Sequence, residues 1–376
     1  MDPYERHKLV WKTLTGPLDL LLRAKFGLRH EDLDAEGPVL IVSNHVCAWD
    51  PLFVAMCLRK RPAYYVASEH IFRLGPVTKL LNYLVEPIAR RKAASGSDTV
   101  RACLRHLKAG RNVCLFAEGE QCWDGLSQDV FPATGKLAKT SGASLATFRI
   151  EGGYLSCPRW GIHARRGAVQ VHPVRLYPPE QLKAMTPKAI DEAINRDISE
   201  SAWERQRSRP VPYRGRRGAE RLERLLYLCP GCHRIGGLRT EGDRLFCSCG
   251  REWRYTEYGF FAPGLPFPDL AAWDAWEREQ LRRRSFEHGE ALFSDLDLEL
   301  CRIESGHAET FLTRGVLRQY EDRLECGGYV FPLDKISDMA AVLTRLLLFS
   351  YEGRYYQICT RRGVNIRKYY EFWKVR

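Results

Sequence analysis

The chain has 376 residues, 45% of them apolar and 28% charged, with a formal charge of +12 and a pI near 9.1. That apolar fraction excludes a disordered chain, and the length allows two or three domains around large cores. The charge favours an anionic partner, whether a phospholipid surface, a phosphopantetheine-bearing donor or nucleic acid, and excludes none of the three.

Residues 1–30 mix Leu9, Val10, Trp11, Leu14, Leu18, Leu21, Leu22 and Phe26 with Lys8, Lys12, Arg23, Lys25 and Arg29. The pattern predicts an amphipathic helical segment broken near Gly16-Pro17, able to lie in a bilayer interface or to pack on the domain's own sheet. No stretch reaches the roughly 18 to 20 apolar residues of a membrane span, and the first residues lack the apolar core of a signal peptide. The expectation is a cytoplasmic protein that meets any lipid from the surface.

Next comes Val39-Leu40-Ile41-Val42, a short buried strand ending in the polar turn Ser43-Asn44-His45. Open α/β sheets place their sites at such carboxyl ends. Asp50 precedes Pro51 and the apolar run 52–56, so it is predicted to be the N-cap of a helix beginning at Pro51. A loop of this length can fold the carboxylate onto the imidazole. His45 could then take a proton from an alcohol while Asp50 holds the other ring N–H. Capping is enough to explain an Asp before Pro, and a lone His at a strand end is more often a hydrogen-bonded structural residue, so these two residues by themselves favour a structural role.

Three more segments bear on that choice: 85–91, an apolar run ending in Arg90; 113–122, a buried strand leading to Glu118-Gly119; and 141–150. Together with Asn44-His45-x4-Asp50, these segments resemble, in order and spacing, the blocks of the glycerolipid acyltransferases, the family of the 1-acylglycerol-3-phosphate acyltransferases, over about residues 35–200. The resemblance implies His45 as general base oriented by Asp50, with Asn44, Arg90, Glu118 and Gly119 binding substrate. It also implies an acyl donor that is acyl-CoA or acyl-carrier protein, and a lysophospholipid acceptor. The third block departs from the family pattern: Ala117, Glu120, Gln121 and Cys122 replace its Pro, Thr, Arg and Ser. Losing the arginine at Gln121 leaves Arg90, Lys136 or Arg149 to supply charge, or points to another acceptor, and Glu120 adds a negative charge there. Cys47, inside the His-first loop, is a possible nucleophile that this chemistry does not need.

Strands near Val39, Tyr64, Val85, Val113, Leu145 and Val169 alternate with helices near Pro51, Val77, Asp98 and Lys136. Ser97 is a candidate cap for the third of these helices. This predicts an α/β fold with a mainly parallel sheet and flanking helices. Residues 152–154 and 158–160 read as loop at the site rim, and 187–204 as a closing helix. Eight arginines against four glutamates in 200–224 read as a solvated connector.

Cys229-Pro-Gly-Cys232 and Cys247-Ser-Cys249 are separated by fourteen residues, and four thiolates on two turns suit a closed tetrahedral Zn²⁺ site. The pattern resembles a structural zinc ribbon, with Gly231 and Gly250 permitting the turns and His233 as an alternative ligand. Cys47, Cys57, Cys103 and Cys114 read as small core residues. A helix over 269–286 comes after the Pro-rich stretch 263–266. Strands are predicted over 296–303, 310–319, 323–331, 343–350 and 355–360, then a helix over 364–373. This order resembles a small pleckstrin-homology or GRAM-type domain.

The expected division is a 1–30 amphipathic segment, a 31–205 acyltransferase domain, a 206–226 connector, a 227–260 zinc ribbon, a 261–290 linker and a 291–376 β-rich domain. The expected function is transfer of a fatty acyl group to a lysophospholipid at the inner face of the cell membrane, with an anionic membrane surface as partner. Alternatives are a different lipid acceptor, a thioester hydrolase, or a non-catalytic zinc-ribbon adaptor. No interleaving of aromatic and basic residues demands nucleic acid.

Overall fold

The computed structural model describes residues 2–59, 61–68, 71–72, 76–90, 96–262, 265–284, 289–304, 308–360 and 363–376. Arg91 of the second block, Pro263 and Gly264 of the Pro-rich stretch, and Phe286 at the end of the expected helix lie outside them. The chain forms two compact units, the first reaching Gly215 and the second comprising mainly Arg216–Arg376, with Trp160–Ile162 also assigned to the second.

The first unit runs α1 (Pro3–Phe26), β1 (Arg29–His30), β2 (Val39–Ser43), α2 (Asp50–Met56), β3 (Ala63–Ser68), α3 (Pro76–Leu84), β4 (Ile88–Arg90), α4 (Ser97–Lys108), β5 (Asn112–Leu115), α5 (Ala133–Ser141), β6 (Ser144–Glu151), α6 (Gly153–Ser156), β7 (Gln170–Tyr177), α7 (Pro179–Ala184), α8 (Pro187–Ile198) and α9 (Ala202–Ser208). Its seven-stranded sheet has the order β1-β7-β6-β2-β5-β3-β4. All pairings are parallel except β6 with β7. The expected α/β fold with a mainly parallel sheet and flanking helices is the one observed. Every residue of β2 is buried, as a central parallel strand covered on both faces requires. Leu40, Val113 and Leu145 from three adjacent strands share one core with Leu107 and Ile190 from the covering helices.

Several boundaries move. The strand expected at Val85 begins at Ile88, because α3 continues to Leu84. Ser97 is the first residue of α4, whose cap position falls on Gly96. The closing helix is two helices, since Ser201 caps a new start by accepting from the Glu204 N–H. The stretch 152–154, expected as loop, leads through the cap Gly152 into the one-turn helix α6. The amphipathic segment is not broken at Gly16-Pro17. Pro17 sits inside α1 on its exposed side, where water can serve the carbonyl that loses its donor, while Trp11, Leu22 and Phe26 anchor both halves to the core. The Trp11 indole N–H donates to the Leu58 carbonyl, and Phe26 packs edge-on to Phe53. Leu9, Leu14, Leu20 and Leu21 are exposed, Leu9 and Leu20 opposite the buried face and Leu14 and Leu21 beside it.

The second unit contains β8 (Leu238–Glu241), β9 (Arg244–Cys247) and β10 (Glu252–Arg254), an antiparallel sheet of three strands. After α10 (Leu270–Arg283) come β11 (Phe293–Ile303), β12 (Glu309–Gln319), β13 (Arg323–Cys326), β14 (Tyr329–Pro332), β15 (Ile336–Val342), β16 (Leu346–Tyr351), β17 (Arg354–Thr360) and α11 (Arg367–Val375). The strands form one antiparallel sheet ordered β14-β13-β12-β11-β17-β16-β15, matching the expected separate, mostly-β C-terminal layer. The single strand expected over 323–331 is a hairpin, turned by Gly327 and Gly328 at positive φ. β15 has no counterpart among the strands expected from the sequence. The arginine-rich connector is not uniformly solvated. Tyr213 is buried in the first unit with its hydroxyl on the Ala168 carbonyl, and Ala219, Leu222, Leu225 and Leu226 are buried in the second.

Candidate active site and thiol cluster

β2 delivers Ser43-Asn44-His45 at its carboxyl end, and the loop returns through Asp50 into α2. The Asp50 carboxylate does not cap α2: Trp49 holds the cap position without a side-chain bond, and Asp50 is the first helical residue. Its side chain instead turns back into the loop. Oδ2 accepts from His45 Nδ1 at 2.7 Å, from the Val46 N–H at 2.6 Å and from the Cys47 N–H at 2.9 Å. The Cys47 thiol donates to Oδ1 at 3.1 Å. With Nδ1 committed to a fully buried carboxylate, the proton is fixed there and Nε2 is the ring nitrogen left for a substrate. The ring stacks on Phe116 at 4.5 Å and stays 19% exposed. Burial pushes the Cys47 thiol well up, which keeps it a donor to Asp50 and a poor nucleophile.

Glu118 supports this loop from behind. Its two oxygens accept the His45 N–H at 2.8 Å and the Gln128 N–H at 3.0 Å. Burial pushes its carboxyl up to about 8. Asn44 is fully buried, and its amide exchanges two hydrogen bonds with the backbone of Ile150 on β6. Gly119 has φ +81°, and a Cβ there would lie 2.0 Å from the Phe131 ring, so the residue must be glycine for two independent reasons. The Arg90 guanidinium covers the same Phe131 ring at 4.4 Å. Arg90, Phe131 and Gly119 are thereby contiguous, and Gly119 adjoins the residue that holds His45.

Glu120 does not present a bare negative charge. Arg159 donates to its carboxylate and to the Gln121 carbonyl, both at 2.9 Å, and lies over Trp123 at 3.6 Å. By sequence Arg159 falls in a rim loop with no assigned role. The Trp123 indole N–H also donates to Glu120, at 3.2 Å, and no sequence signal links Glu120 to an arginine 39 residues away. Arg149, considered as a replacement cation, spends its guanidinium on the Asp197 carbonyl at 3.0 and 2.6 Å, closing the end of α8. Lys136 is exposed on α5.

In the second unit Cys229, Cys232, Cys247 and Cys249 converge, with all four sulfurs within 4.8 Å of one another. Cys229 lies 3.8 Å from Cys249, and Cys232 3.7 Å from Cys247. Zn–S bonds of ~2.3 Å in a tetrahedron imply sulfur separations of ~3.8 Å, so the cluster is compatible with zinc. Gly250 carries the expected positive φ of 89°. Gly231 does not; it is small because the Arg251 side chain would meet its Cβ at 2.0 Å. His233 lies edge-on to Trp276, outside the thiol cluster.

Residues 28–174 match the acyltransferase family model, a span that runs from before β1 into β7 and contains His45, Asp50, Arg90, Glu118 and Gly119. Among solved structures, the chain is similar to the 1-acyl-sn-glycerophosphate (LPA) acyltransferase PlsC from Thermotoga maritima, with 17% identity and a TM-score of 0.43, covering 51% of this chain and 79% of that one. Among the described residues no helix is long and apolar enough to cross a membrane.

Proposed function

We propose that the first unit transfers a fatty acyl group from a thioester, acyl-CoA or acyl-carrier protein, to the hydroxyl of a lysophospholipid, with 1-acylglycerol-3-phosphate the favoured acceptor. The observation that carries the reading is the His45–Asp50 pair, closed at 2.7 Å with Nε2 left for substrate. Nε2 takes the hydroxyl proton as the oxygen attacks the thioester carbonyl. Asp50 stabilises the imidazolium, the C–S bond breaks, and the imidazolium returns the proton to the departing thiolate. A thioester needs little further activation, so positioning supplies much of the rate.

Arg90 binds the acceptor phosphate from the Phe131 side, while Asn44, Glu118 and Gly119 shape and hold the pocket. The exposed leucines of α1, with Lys8, Lys12, Arg23 and Lys25 on the same helix, contact an anionic membrane surface. The four thiolates hold a structural zinc as a ribbon within the second unit, whose C-terminal sheet is PH/GRAM-like.

The test mixes purified protein with an acyl thioester, with and without lysophosphatidic acid, and monitors thiol release and acylated lipid beside His45→Ala. Acceptor-dependent product that vanishes in the variant is expected. Thiol release that ignores the acceptor would instead identify a hydrolase. Gln121 and the neutralised Glu120 favour testing other lysolipids in the same assay, since no arginine comes after Gly119 in this loop.

A further inference from the structure

A cavity of about 420 Å³ opens within the second unit, between the turn after Cys232 and the start of β11. That volume falls in the range of small-molecule sites. Its wall holds Arg234 and Arg239 from the thiol-cluster module, Arg284 at the end of α10 and Lys368 in the first turn of α11. Against these four cations stands one carboxylate, Asp295. It is already engaged, accepting from Lys368 Nζ at 2.5 Å and from the Tyr369 hydroxyl at 2.8 Å.

Asp295 therefore neutralises only the buried lysine. The exposed arginines bond to neutral oxygens: Arg239 to the Gly236 and Leu238 carbonyls, and Arg234 to the Ser248 hydroxyl. Like charges gathered around one concavity repel one another, and an anion placed among them relieves that repulsion. Guanidinium forks suit phosphate oxygens in particular. The rest of the wall is mixed: Ile235, Leu292 and Phe293 supply apolar surface beside Gly236 and the polar Ser294.

We propose that this cavity binds a phosphomonoester, its dianion gripped by Arg234, Arg239 and Arg284 and its organic part resting on Ile235, Leu292 and Phe293. The site belongs wholly to the second unit and does not depend on the acyl-transfer reading.

Full-length, zinc-loaded protein is titrated calorimetrically with inorganic phosphate, and then mixed with phosphatidylcholine vesicles with and without phosphatidic acid. Saturable phosphate binding is expected. Arg239→Glu weakens it about tenfold or more, because a charge-assisted bond becomes a repulsion, and Arg234→Glu with Arg239→Glu abolishes it. Both side chains are exposed, so circular dichroism should be unchanged. All titrations are run in an Arg90→Ala background, so that phosphate held at the proposed acceptor site of the other unit does not register. Competition by phosphatidic acid vesicles, lost in the double variant, identifies a lipid head group as the source; phosphate binding without such competition identifies a soluble phosphomonoester. Binding that survives the double variant, or no saturable binding of either probe, overturns the proposal.

Discussion

Asp50 can orient His45 because its own position is over-determined by two backbone N–H groups and a thiol. Asp50→Asn keeps the shape but offers an amide where an acceptor is needed, so kcat should fall by about 10³–10⁴. His45→Ala should cost about as much, and the double variant little more than either alone, because the two act as one unit. Steady-state rates of the three proteins check this; additive losses would separate the residues into independent roles. Glu118 makes a different prediction. Folded, it keeps its proton to about pH 8, whereas in the unfolded chain it is expected to release it near its unshifted value of 4.5. Its contribution to stability is therefore fully present below about 4.5 and is lost as pH rises toward about 8. Glu118→Gln should remove that slope and cost about 1–3 kcal/mol, because its NH₂ would face a backbone N–H. Urea midpoints at about pH 5 and about pH 8 read both effects.

Two elements carry opposed duties. α1 holds Trp11, Leu22 and Phe26 in the core and leaves Leu9, Leu14, Leu20 and Leu21 exposed around the rest of its circumference. Leu22→Ala should destabilise by about 2–5 kcal/mol. Leu20→Ser with Leu21→Ser should leave stability within about 0.5 kcal/mol while weakening binding to anionic vesicles about tenfold or more. Flotation with vesicles and thermal melts separate the two; equal vesicle binding would remove α1 from the membrane contact. The turn after β5 is similarly divided, since Gly119 must admit Phe131. Gly119→Ala should displace that ring and with it the support under Arg90. The expected result is a higher KM for a phosphate-bearing acceptor, with a smaller change in kcat.

For the molecule as a whole, the two units answer to different forces. The first is held by a twenty-residue apolar cluster that spans its sheet and helices. The three-strand module β8–β10 has only short strands and a few buried side chains, Leu238, Leu245 and Trp253 among them, so the zinc proposed for its four thiolates would add to its order. Chelation, or Cys229→Ser, should therefore expose the β8–β10 amides to rapid hydrogen exchange while β2, β5 and β6 keep their protection. Retained protection of β8–β10 without metal would assign the fold to packing instead.

What the sequence determined by itself is local or repetitive: the apolar run of β2, the βα alternation, the His45 to Asp50 interval and the cysteine spacing. Each depends on neighbours within a few residues, where periodicity and turn chemistry act directly. Tertiary structure decided what depends on distant partners. Of the two readings open for Asp50, helix cap or acceptor from His45, it formed the second contact and not the first, and it kept α1 whole through Pro17 by anchoring both halves. It set Arg159 against Glu120 across 39 residues and spent Arg149 on the end of α8. It gathered Arg234, Arg239, Arg284 and Lys368 around one cavity. Charges far apart in the chain carry no periodic signal, and only packing determines which of them meet.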